Sequence, residues 1–479
     1  MARHLIVVGA GIAGMAAAIF AAKEGARVSV LEKTNQLAGM LWHSSANFSA
    51  AGSKRQRAKG VEDSPERHYA DIWRLGHGRS DPALLRLAIE HAREGVDWLT
   101  EIGVPWTDDS PRLIFSHETY SVPRTLFPVG YPGEPGNGLG RSVAEVLIAE
   151  YNRWSPARGV TTHFRATVTE LLQDEAGAVR GVRYQQQGET RELLGDVTIL
   201  ATGGYGGSRE MLRRYHPQWE DLALICLPHA TGDGLALADR AGGTLTNLDV
   251  ALLFPGAIRD PRAPHHAIFE IYGPSVRPGA QSGDIWVNRR AERFMREDEP
   301  SPERREHAVM AQPNAEMTLV FDEPLRRGLT EPIARRMQQE IEPRVPPVLV
   351  SAGSLAELAV KLDLPPEALC RTVARYNGFV AAGHDDDFGR QTLPKAIDTP
   401  PFHALPTVGT ILLTHGGVKV DGCLRVVRPD GTPIPNLFAI GEVIGGAQVM
   451  GATFASGQGA GAALTFGILV GRNTARGAW

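Results

Sequence analysis

Apolar and polar positions follow two rhythms along this chain, and its N-terminal stretch contains both. His4-Leu-Ile-Val-Val8 is a short apolar run and predicts a buried strand, while Met15, Ala16, Ile19 and Ala22 recur at helical spacing. Gly25 supplies a helix stop, and Val28-Ser-Val-Leu31 predicts the next strand. Further on, Asp81 is placed to cap a helix whose apolar stripe runs through Leu85, Leu87, Ala88, Ala92, Val96 and Leu99 to a stop at Gly103. Ser142 to Tyr151 resumes the helical spacing. Val168 to Leu172, Val179 to Tyr184 and Val197 to Ala201 predict a small meander returning to the main sheet. Asn436 to Ile440 predicts a late strand, and Gly451 to Gly459 opens a final helix through Ala463, Phe466 and Ile468.

The glycines between the first strand and helix turn this pattern into a candidate site. In Gly9-Ala-Gly11-Ile-Ala-Gly14, Gly9 permits a tight turn and Gly11 lets backbone approach a pyrophosphate. Gly14 lets helix pack closely on strand, and the helix N-terminus offers N–H groups to phosphate. Glu32, at the end of the second strand, stands where a carboxylate accepts from ribose hydroxyls, and Lys33 closes the unit. The arrangement predicts a bound dinucleotide and leaves NAD and FAD both open.

The rest of the chain implies an α/β protein in two parts. From about Phe254 to Pro406 it is richer in Arg and Pro, with a strand at Met317 to Asp322 and helices at Ser354 to Leu362 and Pro366 to Gly378. We expect a discontinuous Rossmann-like domain, residues 1–253 and 406–479, with an inserted α+β capping domain, 254–405. The irregular Pro- and Gly-rich stretch from Pro105 to Gly140, with Tyr120 and Tyr131, is expected to line a pocket. The basic run Ser53 to Gly60 is expected to be a solvated, mobile loop.

Composition adds mainly exclusions. A formal charge of −4 over 479 residues gives no reason to expect nucleic acid or an anionic membrane as partner. No apolar run reaches spanning length and no signal-peptide pattern precedes the first strand, so a cytoplasmic location is expected. Cys226, Cys370 and Cys423 are too few and too scattered for a disulfide framework or a metal or haem motif, and are expected to be buried structural thiols. His265-His266 is expected in an exposed loop without the partners a metal needs. Any redox chemistry must then come from a bound organic cofactor.

With these residues assembled, the chain resembles the fumarate reductase and succinate dehydrogenase flavoprotein superfamily, which includes soluble fumarate reductases and 3-ketosteroid dehydrogenases. The resemblance rests on Gly9 to Glu32, Ala201-Thr-Gly-Gly204, Thr231-Gly-Asp-Gly234, Tyr376-Asn-Gly378 with Asp387-Phe-Gly-Arg390, Gly416-Gly417-Val418 and Gly441-Glu442. It implies FAD rather than NAD. It places Ala13 and Glu32 at the pyrophosphate and adenosine, and Gly39, Met40, Leu41, Ala46 and Asn47 along the ribityl and isoalloxazine. Val168, Ala201, Thr202, Gly203 and Asp233 follow, Glu442 accepts from a ribose or ribityl hydroxyl, and Gly459 and Ala460 offer N–H groups at the pyrimidine end. Met40 stands near where membrane-bound relatives carry a flavin-linked histidine, so non-covalent FAD is expected.

The same resemblance shows departures. Where soluble fumarate reductases place two histidines and an arginine around the substrate carboxylates, this chain aligns with Phe254, Leu412 and Phe454. The expected proton-donating arginine gives way to Glu299-Pro-Ser-Pro302, with Arg304 and Arg305 displaced. Gly451-Ala-Thr453 and Thr465-Phe-Gly467 look more like the ketosteroid end of the superfamily, although the expected tyrosine is Ala447. Thr453 and Phe454 join Phe254 and Leu412 as expected pocket residues, Thr453 and Ser456 also being candidates to cap the final helix. Candidates for proton transfer or carbonyl polarisation are Tyr120, Tyr272, Arg277, Arg304 and His415.

The reading is an FAD-dependent oxidoreductase that desaturates, or reduces, a C=C bond beside a carbonyl in an apolar, cyclic small molecule, exchanging electrons with a separate donor or acceptor. The alternatives are a dicarboxylate reductase or dehydrogenase, an NAD-dependent dehydrogenase and a non-catalytic flavin-binding protein.

Overall fold

The computed structural model describes residues 2–113, 119–129, 139–154, 158–219, 222–260, 263–268, 283–328 and 348–479, without the side chains of Leu139, Pro255, Asp260, residues 263–268, Pro302 and Leu412. Strand His4–Val8 is fully buried, and both its edges pair in parallel, with Arg27–Glu32 on one side and Val197–Leu200 on the other. Parallel strands buried on both faces read as continuous apolar runs, which is why this core is legible in sequence. The sheet has six strands in the order Arg425–Val427, Pro433–Ala439, Val197–Leu200, His4–Val8, Arg27–Glu32, Val160–Phe164.

A second sheet of seven strands includes the two long strands Ala251–Asp260 and Phe402–Thr414, which pair antiparallel with each other. Glu316–Asp322 pairs on the other side of Phe402–Thr414. The positions 254 and 406, where we expect the insert to begin and end, both fall inside these strands.

Several expectations change on contact with the structure. The meander is Ala166–Gln173, Val179–Gln186 and Glu189–Leu194, and Val197–Leu200 belongs to the main sheet instead. Strand Glu189–Leu194 is mostly exposed, so it carries no apolar alternation to read. The helix expected to stop at Gly378 runs Pro366–Ala382, because the left-handed cap is Gly383 at φ 74°. His265-His266 lies in the paired strand Ala263–Ile268 rather than in a loop. The basic run is a short helix, Lys54–Ala58, capped by Ser53. Arg55 donates to the carbonyls of Thr107 and Ser110, and Lys59 to that of Asp108, so these basic groups hold the Pro-rich stretch, while Lys54 pairs with Glu101.

The N-terminal helix Ile12–Lys23 packs on the C-terminal helix Gln458–Arg476 at very short range. A Cβ on Gly467 would stand 2.5 Å from the Ala13 carbonyl oxygen, and one on Gly471 would stand 2.2 Å from that of Ala17. Glycines four residues apart on one face thus let the two backbones touch. That contact carries the start of the last helix to the turn after the first strand.

Candidate functional site

Along the joined ends of these elements runs a cavity of about 740 Å3, within the roughly 300–1,000 Å3 usual for ligand sites. One end is built on Glu32. Its Oε2 accepts from the Ala10 N–H at 2.9 Å, and its Oε1 accepts from the N–H and hydroxyl of Thr34, both at 2.8 Å. Lys33 Nζ donates to Asp233 Oδ2 at 2.7 Å and to Thr231 Oγ1 at 2.8 Å, which clamps the second strand to the helix starting at Asp233. Val168 contributes to the wall nearby.

The glycine turn divides its labour. Gly9 sits at φ 103°, and a Cβ there would meet the Ala201 carbonyl oxygen at 2.4 Å. A Cβ on Gly14 would lie 2.0 Å from the Gly9 carbonyl oxygen, so Gly14 packs the helix and is absent from the cavity wall. A Cβ on Gly11 would meet nothing within 4 Å, because its open side faces the cavity.

Ala13, Ala201, Thr202, Gly203 and Glu442 also line it. Gly441 packs against Ala13, which fixes Glu442 beside the glycine turn. Burial pushes the Glu442 carboxyl up to about 7, although hydrogen bonds at Gly204 and Thr414 pull the other way. The far end is closed by the turn Gly39–His43, with Met40 and Leu41, then by Ala46 and Asn47, and by the loop before the final helix. Asn47 Nδ2 donates to Ser456 Oγ at 2.9 Å, and the Ser49 hydroxyl donates to the Ser456 carbonyl at 2.8 Å. These bonds tie the two segments together. The final helix is capped by Gly457 at φ 73° with no side-chain bond, so Thr453 and Ser456 are not its caps. The N–H groups of Gly459 and Ala460 have no partner among the described residues, and both residues line the cavity. They present the positive end of a nineteen-residue helix.

His415 also lies in this far wall, 1 % exposed. Its Nδ1 is 3.3 Å from the Gly451 carbonyl oxygen, and its Nε2 has no hydrogen-bond partner. Burial lowers its pKa to about 4. At neutral pH Nε2 is therefore a bare lone pair, able to accept and unable to deliver a proton. Apolar side chains complete this end, among them Leu413, Ile444, Val449, Met450 and Phe454.

The other candidates are placed differently. Tyr120 is buried, but its hydroxyl donates to the Ser456 carbonyl at 2.5 Å and it is absent from the wall. Its burial raises the phenol's pKa, and its place is below the loop, supporting it. Arg304 is exposed on the helix Pro302–Met310, 3.9 Å from Glu299, and does not reach the cavity. Phe254 and Thr453 are buried away from the wall. The strand carrying Phe254 changes register between Leu252 and Leu253 and again between Phe254 and Ala257, which breaks simple alternation. On the strand Phe402–Thr414 the described wall residues are Leu413 and Thr414, and the Leu412 side chain lies outside the described residues. Tyr131, Tyr272 and Arg277 lie outside the described residues.

Of the thiols, Cys226 is buried and lines the cavity, while Cys370 and Cys423 are partly exposed. Sequence reasoning missed Arg112 and Phe127 in the wall. The Arg112 guanidinium lies 4.0 Å from the Phe127 ring centroid and pairs with Asp109, in an irregular stretch whose patterning carries no such signal. The motif Asp387-Phe-Gly-Arg390 is far from any cofactor role. Arg390 donates to Glu297 at 3.1 Å and to the Asp284 carbonyl at 2.8 Å, inside the core of the second sheet's neighbours. Among the described residues no His, Cys, Asp and Glu cluster could hold a metal, and no helix is long and apolar enough to cross a membrane.

A cavity lined by the Glu32 carboxylate, the glycine turn, the Glu442 carboxyl and a helix N-terminus suits a dinucleotide bearing an extended ring system. Gly11's open side and the unpartnered N–H groups fit FAD in particular. A family described as "FAD binding domain" matches residues 4–459. A "Fumarate reductase (cytochrome)" of Shewanella frigidimarina is 31% identical over 475 residues, covering 98% of this chain and 77% of the relative. A "Vinyl phenol reductase" of Lactiplantibacillus plantarum is 27% identical, covering 99% of this chain and 97% of the relative. The solved open conformation of a flavocytochrome c3 fumarate reductase superposes with a TM-score of 0.84 at 27% identity, covering 99% of this chain and 78% of that one.

The chain belongs to the FAD binding domain family, within the fumarate reductase and succinate dehydrogenase flavoprotein superfamily. It is an FAD-dependent oxidoreductase acting on CH–CH groups, which removes the NAD-dependent and non-catalytic alternatives.

Proposed function

We propose that the protein moves two hydrogens between non-covalently bound FAD and a carbon–carbon pair beside a carbonyl, in an apolar, cyclic ketone or enone. The observation that carries this reading is the apolar wall at the far end of the cavity, formed by Leu413, Ile444, Val449, Met450 and Phe454. The described Lys and Arg side chains on the cavity are Lys33 and Arg112, and each is already paired, with Asp233 and with Asp109. Two carboxylates buried at this wall without cations of their own cost several kcal/mol each. Burying ~100 Å2 of ring surface there instead contributes roughly 2.5 kcal/mol.

FAD, when bound, supplies hydride exchange at its N5. The chain's own part is to hold the ring by the N–H groups of Gly459 and Ala460, and to exclude water with the apolar wall. With Tyr120 and Arg304 away from the cavity and Nε2 of His415 unprotonated, Tyr272 and Arg277 stand as the candidate proton carriers. Electrons arrive from, or leave to, a separate carrier.

A dicarboxylate reductase is the second reading, favoured by the 31% identity to a protein named fumarate reductase. It requires cations from residues such as Arg277. Anaerobic titration of the purified protein separates the two. We expect a cyclic ketone to bleach the flavin or its enone to re-oxidise the reduced form, with succinate and fumarate inert, and acid precipitation to release the yellow colour. Turnover of fumarate or succinate at an ordinary enzymatic rate overturns the apolar reading in favour of the second.

A further inference from the structure

The Nε2 of His415 is a buried acceptor with nothing to accept from. A carbonyl oxygen can only accept, so the contact between Nδ1 and the Gly451 carbonyl puts the ring proton on Nδ1. The free lone pair on Nε2 stands against Gly446, where a Cβ would lie 3.1 Å away, and the residue lines the cavity wall. Leaving such a buried atom unsatisfied is costly, so a ligand donor is its natural complement.

Its place along the cavity narrows the donor. Contacts run from Glu32, which bonds Ala10, to Gly441 against Ala13, and from Gly446, which packs on the His415 ring, to the His415 contact with Gly451. Gly451 opens the loop that leads to Gly459 and Ala460, so we assign His415 to the end that holds the flavin ring. The pyrimidine edge of that ring presents a carbonyl, an imide N–H and a second carbonyl in succession. Helix N–H groups complement the carbonyls, and an acceptor is needed for the N–H between them. Glu442 already stands in the wall to take a hydroxyl.

We propose that His415 Nε2 accepts the hydrogen bond from the flavin imide N3–H, making His415 the positioning residue that sets the flavin ring's rotation in its plane. The proposal rests on FAD binding and is independent of the substrate. Any proton transfer to substrate is left to other groups, because Nε2 has no proton to give.

The test uses protein labelled with 15N in histidine, loaded once with FAD and once with N3-methyl-FAD, which lacks the donor. We expect one unprotonated imidazole nitrogen to resonate upfield with FAD relative to N3-methyl-FAD. Identical histidine spectra in the two loaded forms overturn the proposal, a ribityl hydroxyl or water then being the donor. In a second arm, protein is loaded with FAD labelled with 15N at N3. The N3–H should exchange with water at least roughly tenfold more slowly in wild type than in His415→Phe, with His415→Gln, which keeps an acceptor, in between. An N3–H that exchanges equally fast in wild type and His415→Phe also overturns it. If His415→Phe does not hold FAD, the wild-type histidine spectra alone decide.

Discussion

Single residues in this site are distinguished by what a methyl group would meet. Gly11 opens onto the cavity and Gly14 onto the Gly9 carbonyl, so substitution should separate binding from folding. Gly11→Val is expected to fold with near-normal stability and to lose FAD by at least about tenfold in affinity. Gly14→Val is expected to lose several kcal/mol, of the order seen for overpacking and backbone clash. Chemical denaturation with flavin fluorescence on the same samples reads both effects. Equal loss of stability in the two variants would remove the distinction.

Glu442 gives the residue scale its pH dependence. Its carboxyl is pushed up from the usual 4.5 to about 7 by burial, so the folded protein holds this proton more tightly than the unfolded chain does. The associated stability is fully present below the unfolded value and is lost as pH rises through about 7. Glu442→Gln carries no such titration. Between about pH 4.5 and about pH 7 the variant should gain on wild type by up to about 3 kcal/mol, then hold level. Denaturation of both proteins across that range checks the sign, and a wild type that gains on the variant would refute it.

At the scale of elements, the family motifs of the second sheet's region turn out to build one buried charge cluster. Arg293 is held by both oxygens of Glu297 at 2.8 Å and by Asp385 at 2.9 Å, and Tyr376 is covered by the guanidinium groups of Arg293 and Arg390. Removing one cation leaves carboxylates buried and under-paired. Arg293→Met should therefore cost about 3–5 kcal/mol, with amide protection lost first in Pro366–Ala382 and retained in His4–Val8. Uniform loss of protection across both sheets would show that the two regions unfold as one.

The same scale explains what was legible. Glu32 and the glycine turn could be read because a buried parallel strand, a tight turn and a helix each leave a separate mark in sequence. Every expected cofactor residue except Gly14 lines the cavity. The substrate end was harder, because Phe254 sits in a strand whose register shifts twice, which breaks the alternation a sequence pattern relies on. Tyr120 and Arg304 show the limit of residue type alone, since a phenol and a guanidinium look equally suited to chemistry whether they support a loop, as Tyr120 does, or meet solvent, as Arg304 does.

At the scale of the whole molecule, the cavity is a meeting place of distant sequence. Strand Phe402–Thr414 joins the second sheet at its start and supplies Leu413 and Thr414 to the cavity at its end. The final helix comes from the opposite end of the chain to the turn it faces. Gly467 and Gly471 then rest on the backbones of Ala13 and Ala17. This last contact has a consequence for biosynthesis. On the ribosome the glycine turn of residues 9–14 emerges long before its partner helix, Gln458–Arg476. Between those two moments the growing chain carries one wall of the cavity without Gly459 and Ala460. Loops closed over such separations form slowly. A nascent chain stopped before Gln458 has the glycine turn without the helix that packs against it, so cofactor capture is expected to wait for that helix.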